Sequence, residues 1–181
     1  MAPRVPVARV AGGRYVLSLE AEERRVMRSL VGQLGDLLDD AGDGDDPALG
    51  RLFPPLRPDD PAADAELRAM IRPDLEDARR RAISTVTGTL DASELDEPAV
   101  HAWLSVCNDL RLALGSRLGF TGEDDPEPAE DAPEAWPTMV FHWLGWLVGC
   151  LVDVVAPGLP AHPDDASDTP DEAPEALAPE G

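Results

Sequence analysis

Residues Pro98 to Gly119 read PAVHAWLSVCNDLRLALGSRLG. Val100, Trp103, Cys107, Leu110, Leu114 and Leu118 recur at steps of three and four, so an α-helix gathers them on one stripe, with Leu104 widening it. Asp96 offers an N-cap, Pro98 suits a first turn, and Gly119 is a stop signal. Asn108 and Arg111 stand one turn apart beside the stripe. A solvated face uses Glu or Arg freely, whereas an Asn–Arg pair bordering a buried face takes fixed partners. Asn108 and Arg111 are therefore candidates for one of two roles. They bind a partner's carboxylate or phosphate, or they brace the Pro-rich segment upstream, whose backbone needs hydrogen-bond partners.

Working outward, Ala8 to Leu19 holds two short apolar runs around Gly12-Gly13, a hairpin signal. A lone hairpin is marginal and must lie on something else. Ser18 is placed to cap a helix over about 19–38, with Val26, Leu30, Leu34, Leu37 and Leu38 as its stripe. DDAGDGDDP (39–47) lacks the alternating acids, central Gly and terminal Glu of a calcium loop and reads as a solvated acidic loop. RLFPPLRPDDP (51–61) has four prolines and favours extended chain, with Leu52, Phe53 and Leu56 as anchors to the core. Asp60 and Pro61 start the next helix, with Leu67, Met70 and Ile71 expected inside, and Pro73 kinks or restarts it. Leu75, Ala82, Ile83, Val86 and Leu90 form its stripe, and Arg79, Arg80 and Arg81 straddle the solvent side.

After the central helix, 121–135 is acidic and Pro-rich and is expected to be a mobile linker. Residues 136–156 read WPTMVFHWLGWLVGCLVDVVA, the most hydrophobic part of the chain. From Met139 the apolar run is at the short limit for a membrane span. His142 and Asp153 interrupt it, and no positive charge flanks it. A buried helix or a dimer face is the expectation, with the Gly145/Gly149 spacing marking close approach. The expected architecture is mainly α: a bundle of four to five helices with a small N-terminal β-hairpin. It forms a single domain over 1–156, followed by a disordered acidic tail over 157–181.

The net charge is −21 and is unevenly spread. All 15 basic residues are Arg and lie before residue 122, whereas residues 122–181 carry 15 acids and no base. Such a field repels nucleic acid and anionic lipid at long range, so direct nucleic-acid binding and a membrane role are disfavoured. The helix over 98–119 is also too apolar to read a DNA groove. The N-terminal MAPRVPVARV lacks the apolar core of a secretory signal, and two distant cysteines make no disulfide framework. The expected location is cytoplasmic.

Cys107 and Cys150 are the redox candidates, within reach of each other only if the two apolar helices pack suitably. Of the two, Cys107 has a basic residue, Arg111, one turn away, so it is the better candidate for a reactive thiol. Otherwise each is a small buried hydrophobe. His101, Cys107, His142 and Cys150 match no zinc spacing, and no nucleotide loop, nucleophile elbow or metalloprotease motif is present. The sequence thus calls for no metal and no cofactor, and the chain is expected not to be an enzyme.

Several stretches resemble one family. RLFPP and RPDDP, a helix from about Asp74, the string W-L-x-x-x-N-D-L-R-L-x-L-G-x-R-L-G over Trp103–Gly119, and a final W-L-G at Trp143–Gly145 are its marks. They are similar to an actinobacterial domain-of-unknown-function family associated with the oxidative-stress transcriptional regulator AosR. The resemblance covers most of residues 10–156, and Asn108, Asp109, Arg111, Gly115 and Arg117 carry the string. It implies a small cytoplasmic, redox-linked regulator acting through protein contacts. The partner so implied belongs to the transcription machinery, with thiol oxidation as a candidate gate. The alternative is an adaptor linked to ClpS-dependent proteolysis, with inert cysteines. A homodimer through the last helix is compatible with either.

Overall fold

The computed structural model describes residues 5–40, 46–120 and 132–156. The expectations for the 41–45 loop, for 121–131 of the linker and for the 157–181 tail fall outside the described residues. Strands β1 (Val7–Val10) and β2 (Arg14–Leu17) pair antiparallel, joined by a one-turn 3₁₀ helix in which Gly12 and Gly13 both take positive φ. A third strand, β3 (Glu94–Leu95), pairs with β2 and answers the problem of the lone hairpin. Val7, Tyr15, Leu17 and Leu95 turn their side chains into the core.

Helices α1 (Ala21–Asp39), α2 (Pro47–Leu52), α3 (Pro61–Thr89), α4 (Glu97–Leu118) and α5 (Ala135–Val155) make up the rest. The structure is mainly α with a small N-terminal sheet. Helix α4 is the hub: α1, α2, α3, α5 and β2 all pack on it. Asp96 accepts from the Ala99 N–H at its start, Pro98 sits in its first turn, and Gly119 ends it in the left-handed conformation. Trp103 is fully buried and its indole N–H donates to Thr89 of α3 at 2.9 Å.

Several local expectations are corrected. The α1 cap is Glu20 in a capping box with Glu23, not Ser18, whose backbone N–H instead bonds Pro6 beside the sheet. The face of α1 turned to the core is rotated towards Met27, Val31 and Leu34, leaving Val26 and Leu30 only partly buried. Arg51 and Leu52 end a short helix, capped by Asp46, rather than beginning an extended run. Leu52 and Phe53 anchor the Pro-rich segment as expected, but Leu56 is 49% exposed. Helix α3 is continuous through Pro73, and its N-terminal half projects away from the core with Met70 and Leu75 exposed.

Helix α5 is long and apolar enough, by length and composition, to cross a membrane. Here Val140, Leu144, Leu147 and Leu151 pack inward on α4 and β1, while Trp136, Met139, Trp146 and Val152 are exposed. It is therefore a half-covered helix rather than the centre of the bundle. Gly145 does mark a close approach, to Arg111, but a Cβ at Gly149 meets nothing within 4 Å.

Candidate functional site

The string in α4 meets three different neighbours. Asp109, buried on the α3 side, lies 3.0 Å from Arg79 Nε. Arg79 also donates to the Leu52 carbonyl at 3.0 Å and lies over the Phe53 ring at 4.7 Å, with Arg72 over the same ring at 4.9 Å. Phe53, the first residue after α2, thus sits beside two guanidiniums from α3. Burial raises the Asp109 pKa, and the charge of Arg79 opposes that rise. Further along, Asp64 accepts from the backbone N–H groups of Leu56 and Arg57 at 2.7 and 2.9 Å. The Arg57 bond lowers its pKa most, with the Leu56 bond and Arg68 acting the same way against burial.

The backbone of the Pro-rich segment is therefore served by Asp64 and Arg79 of α3, not by Asn108 and Arg111. Asn108 is exposed. Arg111 turns to α5, where its guanidinium lies 4.7 Å over the Phe141 ring and its Nε is buried without a hydrogen-bond partner. Gly115 and Gly145 make room for this stack. A Cβ at Gly115 would stand 2.9 Å from Phe141 Cε2, and one at Gly145 would stand 3.2 Å from Arg111 Nε. Phe120 closes the end with an edge contact to Phe141 at 5.0 Å. Arg117 reaches Asp46, the cap of α2, at 3.7 Å.

Two further arginines hold the helix ends. Arg24 donates to the Leu90 carbonyl at the end of α3, and also to Leu19, Ala92 and Leu17. Arg80 donates to the Leu38 carbonyl near the end of α1 at 3.2 Å. Sequence reasoning placed Arg79 and Arg80 towards solvent. A signal for Arg79 existed, because it continues the three-and-four spacing of Ile83, Val86 and Leu90.

The two thiols are free and differ in setting. Cys107 is fully enclosed and burial pushes its pKa up to about 12. The arginine expected to activate it points to Phe141 instead. Cys150 is only partly buried. Its pKa is raised by burial and by the neighbouring Asp153 carboxylate. An oxidant from solvent therefore meets Cys150 first. Among the described residues, no group of three or more His, Cys, Asp or Glu side chains is placed to hold a metal.

The surface offers two depressions of note. One, of about 610 Å³, lies between the Pro-rich segment and α3, with Arg57, Arg68 and Arg72 on its walls and Asp64 among them. The other, of about 180 Å³, is lined by Val26, Trp136, Met139, Val140 and Trp143, with Glu22 and Glu23 at α1. Asp109, Arg111 and Arg117 of the string join α4 to its neighbours, Asn108 is exposed, and several large apolar residues lie on open faces. That arrangement defines a small helical protein whose central helix is tied to its neighbours by a few polar side chains.

Comparison with known proteins gives the family. The model described as Domain of unknown function (DUF2017) matches residues 4–155, and the chain belongs to that family. The Putative oxidative stress regulator AosR of Mycobacterium leprae (strain TN) is 38% identical over 129 residues, 60% of this chain and 58% of that protein. The Oxidative stress regulator AosR of Mycobacterium tuberculosis (strain ATCC 25618 / H37Rv) is 31% identical over 181 residues, 80% of this chain and 83% of that protein. The same figures hold for the protein of that name in Mycobacterium bovis. The chain thus spans less than two thirds of the first of these relatives and most of the other two. No solved structure matches it.

Proposed function

We propose that this chain is a cytoplasmic, non-enzymatic regulator of the oxidative-stress kind that binds a protein of the transcription machinery. The observation that carries the reading is the likeness, over 80% of the chain, to relatives named as oxidative stress regulators. Two physical features support it. Asp109, Arg79, Arg111 and Arg117 are engaged within the fold, and apolar and arginine-lined surfaces face outward. The net charge of −21 disfavours direct contact with nucleic acid and favours action through a protein. In this reading any thiol gate starts at Cys150, because Cys107 is sealed and held protonated.

The test is affinity purification of the tagged full chain from its own cells, with and without mild peroxide, followed by identification of bound proteins. The expected result is a transcription protein whose recovery changes with peroxide and whose change is lost in Cys150→Ser. No transcription protein under either condition overturns the reading. An adaptor with inert cysteines, linked to ClpS-dependent proteolysis, is a second reading, favoured by the enclosure of Cys107. Recovery of a protease component, insensitive to peroxide, would select it.

A further inference from the structure

Helix α5 buries one seam and leaves a second, mixed apolar and polar, open. Val140, Leu144, Leu147 and Leu151 are buried against the body of the molecule. On the other side Met139, His142, Trp146, Gly149 and Asp153 are all exposed. Their spacing is three, four, three, four, the interval at which residues line the seam between two paired helices. Among the described residues, α1 borders the seam at Met139, and the seam positions from His142 to Asp153 are exposed.

We propose that this seam pairs two copies of the chain, with their α5 helices antiparallel about a two-fold axis between Leu147 and Val148. The composition of the seam fixes that register. Trp146 is 43% exposed and is the bulkiest group in it. Gly149 is a gap in the same surface, since a Cβ there meets nothing within 4 Å. With the axis between 147 and 148, each Trp146 lies over the second copy's Gly149. The same axis sets each His142 opposite the second copy's Asp153, a hydrogen-bonded or charged pair made twice. A two-fold interface has to match itself in this way. A parallel arrangement instead stacks Trp146 on Trp146 and Asp153 on Asp153. Sliding the antiparallel pair by one heptad in either direction breaks both matches.

A lipid surface is a poorer fit. His142 and Asp153 lie within the seam, and α5 carries no Arg or Lys to meet acidic headgroups. The seam from Met139 to Asp153 is about 21 Å long at the helical rise. One helix face of that length is smaller than a standard interface of about 800 Å² per partner, so a weak, exchanging pair is expected. The inference stands apart from the regulator reading, because it needs no transcription partner and no oxidant.

The experiment is sedimentation equilibrium of the full chain from low-micromolar to millimolar concentration. A reversible monomer–dimer equilibrium is expected. Gly149→Glu should weaken it at least tenfold, without loss of helical signal or thermal stability, because the position is open and the glycine is replaced by a better helix former. His142→Asp should weaken it by setting two acids face to face, and adding Asp153→His should restore it. A chain that stays monomeric at millimolar concentration overturns the proposal. So does a Gly149→Glu dimer of wild-type strength. Binding of α5 to phosphatidylglycerol vesicles without self-association would overturn it in favour of the lipid surface.

Discussion

Helices α4 and α5 are nearly equal in length and lie side by side, yet they are used in opposite ways. Helix α4 is the less apolar of the two and is surrounded. Its polar residues Asp109, Arg111 and Arg117 each reach a different neighbour. Helix α5 is the most apolar stretch of the chain and has one side open, with two tryptophans exposed. Hydrophobicity alone therefore does not rank helices by burial. A hub helix needs polar groups to fix its many neighbours, and an edge helix with a surplus of apolar side chains has a surface left over for a partner.

The sharpest way to break that contrast is to truncate one tryptophan on each helix. Trp103→Ala removes a fully buried indole and its bond to Thr89, and should cost about 4 kcal/mol of stability in urea unfolding. Trp146→Ala removes a half-exposed ring and should cost under about 1 kcal/mol when measured on dilute monomer. Equal losses would mean that α5 is as deeply held as α4.

Next in size is the link from α4 to the Pro-rich segment. Asp109→Ala strands the largely buried Arg79, and should destabilise by about 3 kcal/mol. Replacing Arg79 by Met in the same chain should recover part of that loss, since no charge is then left unpaired. Absence of any recovery would mean that the acid acts only through packing.

These pairs also show where the sequence was legible. The stripe, cap and stop of α4 could be read because periodicity and terminal residues are local signals, and the hairpin because Gly-Gly is one. Strand β3 could not, since two residues pairing across the chain leave no pattern. Arg79 was misplaced because a charged residue at a stripe position reads as solvent-facing until its partner is known, and that partner, Asp109, lies thirty residues away on another helix. The service that Asp64 gives to the Leu56 and Arg57 amides was hidden although they lie only eight and seven residues upstream, because a Pro-rich segment folding back on the next helix leaves no periodic pattern. Arg111 and Gly115 were legible as a motif but not as a seat for Phe141, which belongs to another helix.

A pH titration separates the two buried acids. The Asp64 pKa is held below 3.8, so its contribution is present above that pH and is lost as pH falls through the folded value. The Asp109 pKa is raised above 3.8, so its contribution is present in acid and is lost as pH rises through the folded value. Melting temperatures of Asp64→Asn and Asp109→Asn, taken across the acid range, should therefore diverge. The deficit of Asp64→Asn shrinks as pH falls, while Asp109→Asn gains on the wild type as pH rises. Parallel profiles would refute the assignment.

The smallest effect on stability, and the most telling for regulation, belongs to the thiols. Cys150→Ser alters a partly exposed site and should change stability by under about 0.5 kcal/mol. Labelling of the native chain with a maleimide should nonetheless modify Cys150 alone, because the reactive thiolate is nearly absent at Cys107 and no path reaches it. Intact mass before and after denaturation reads this directly as one adduct, then two. Rapid labelling of Cys107 in the native protein would mean that the packing around α4 opens on that timescale. The hub would then be a hinge, and an oxidant could reach both cysteines. One adduct only would confine redox chemistry to α5, the same helix whose open seam offers a surface for a second copy.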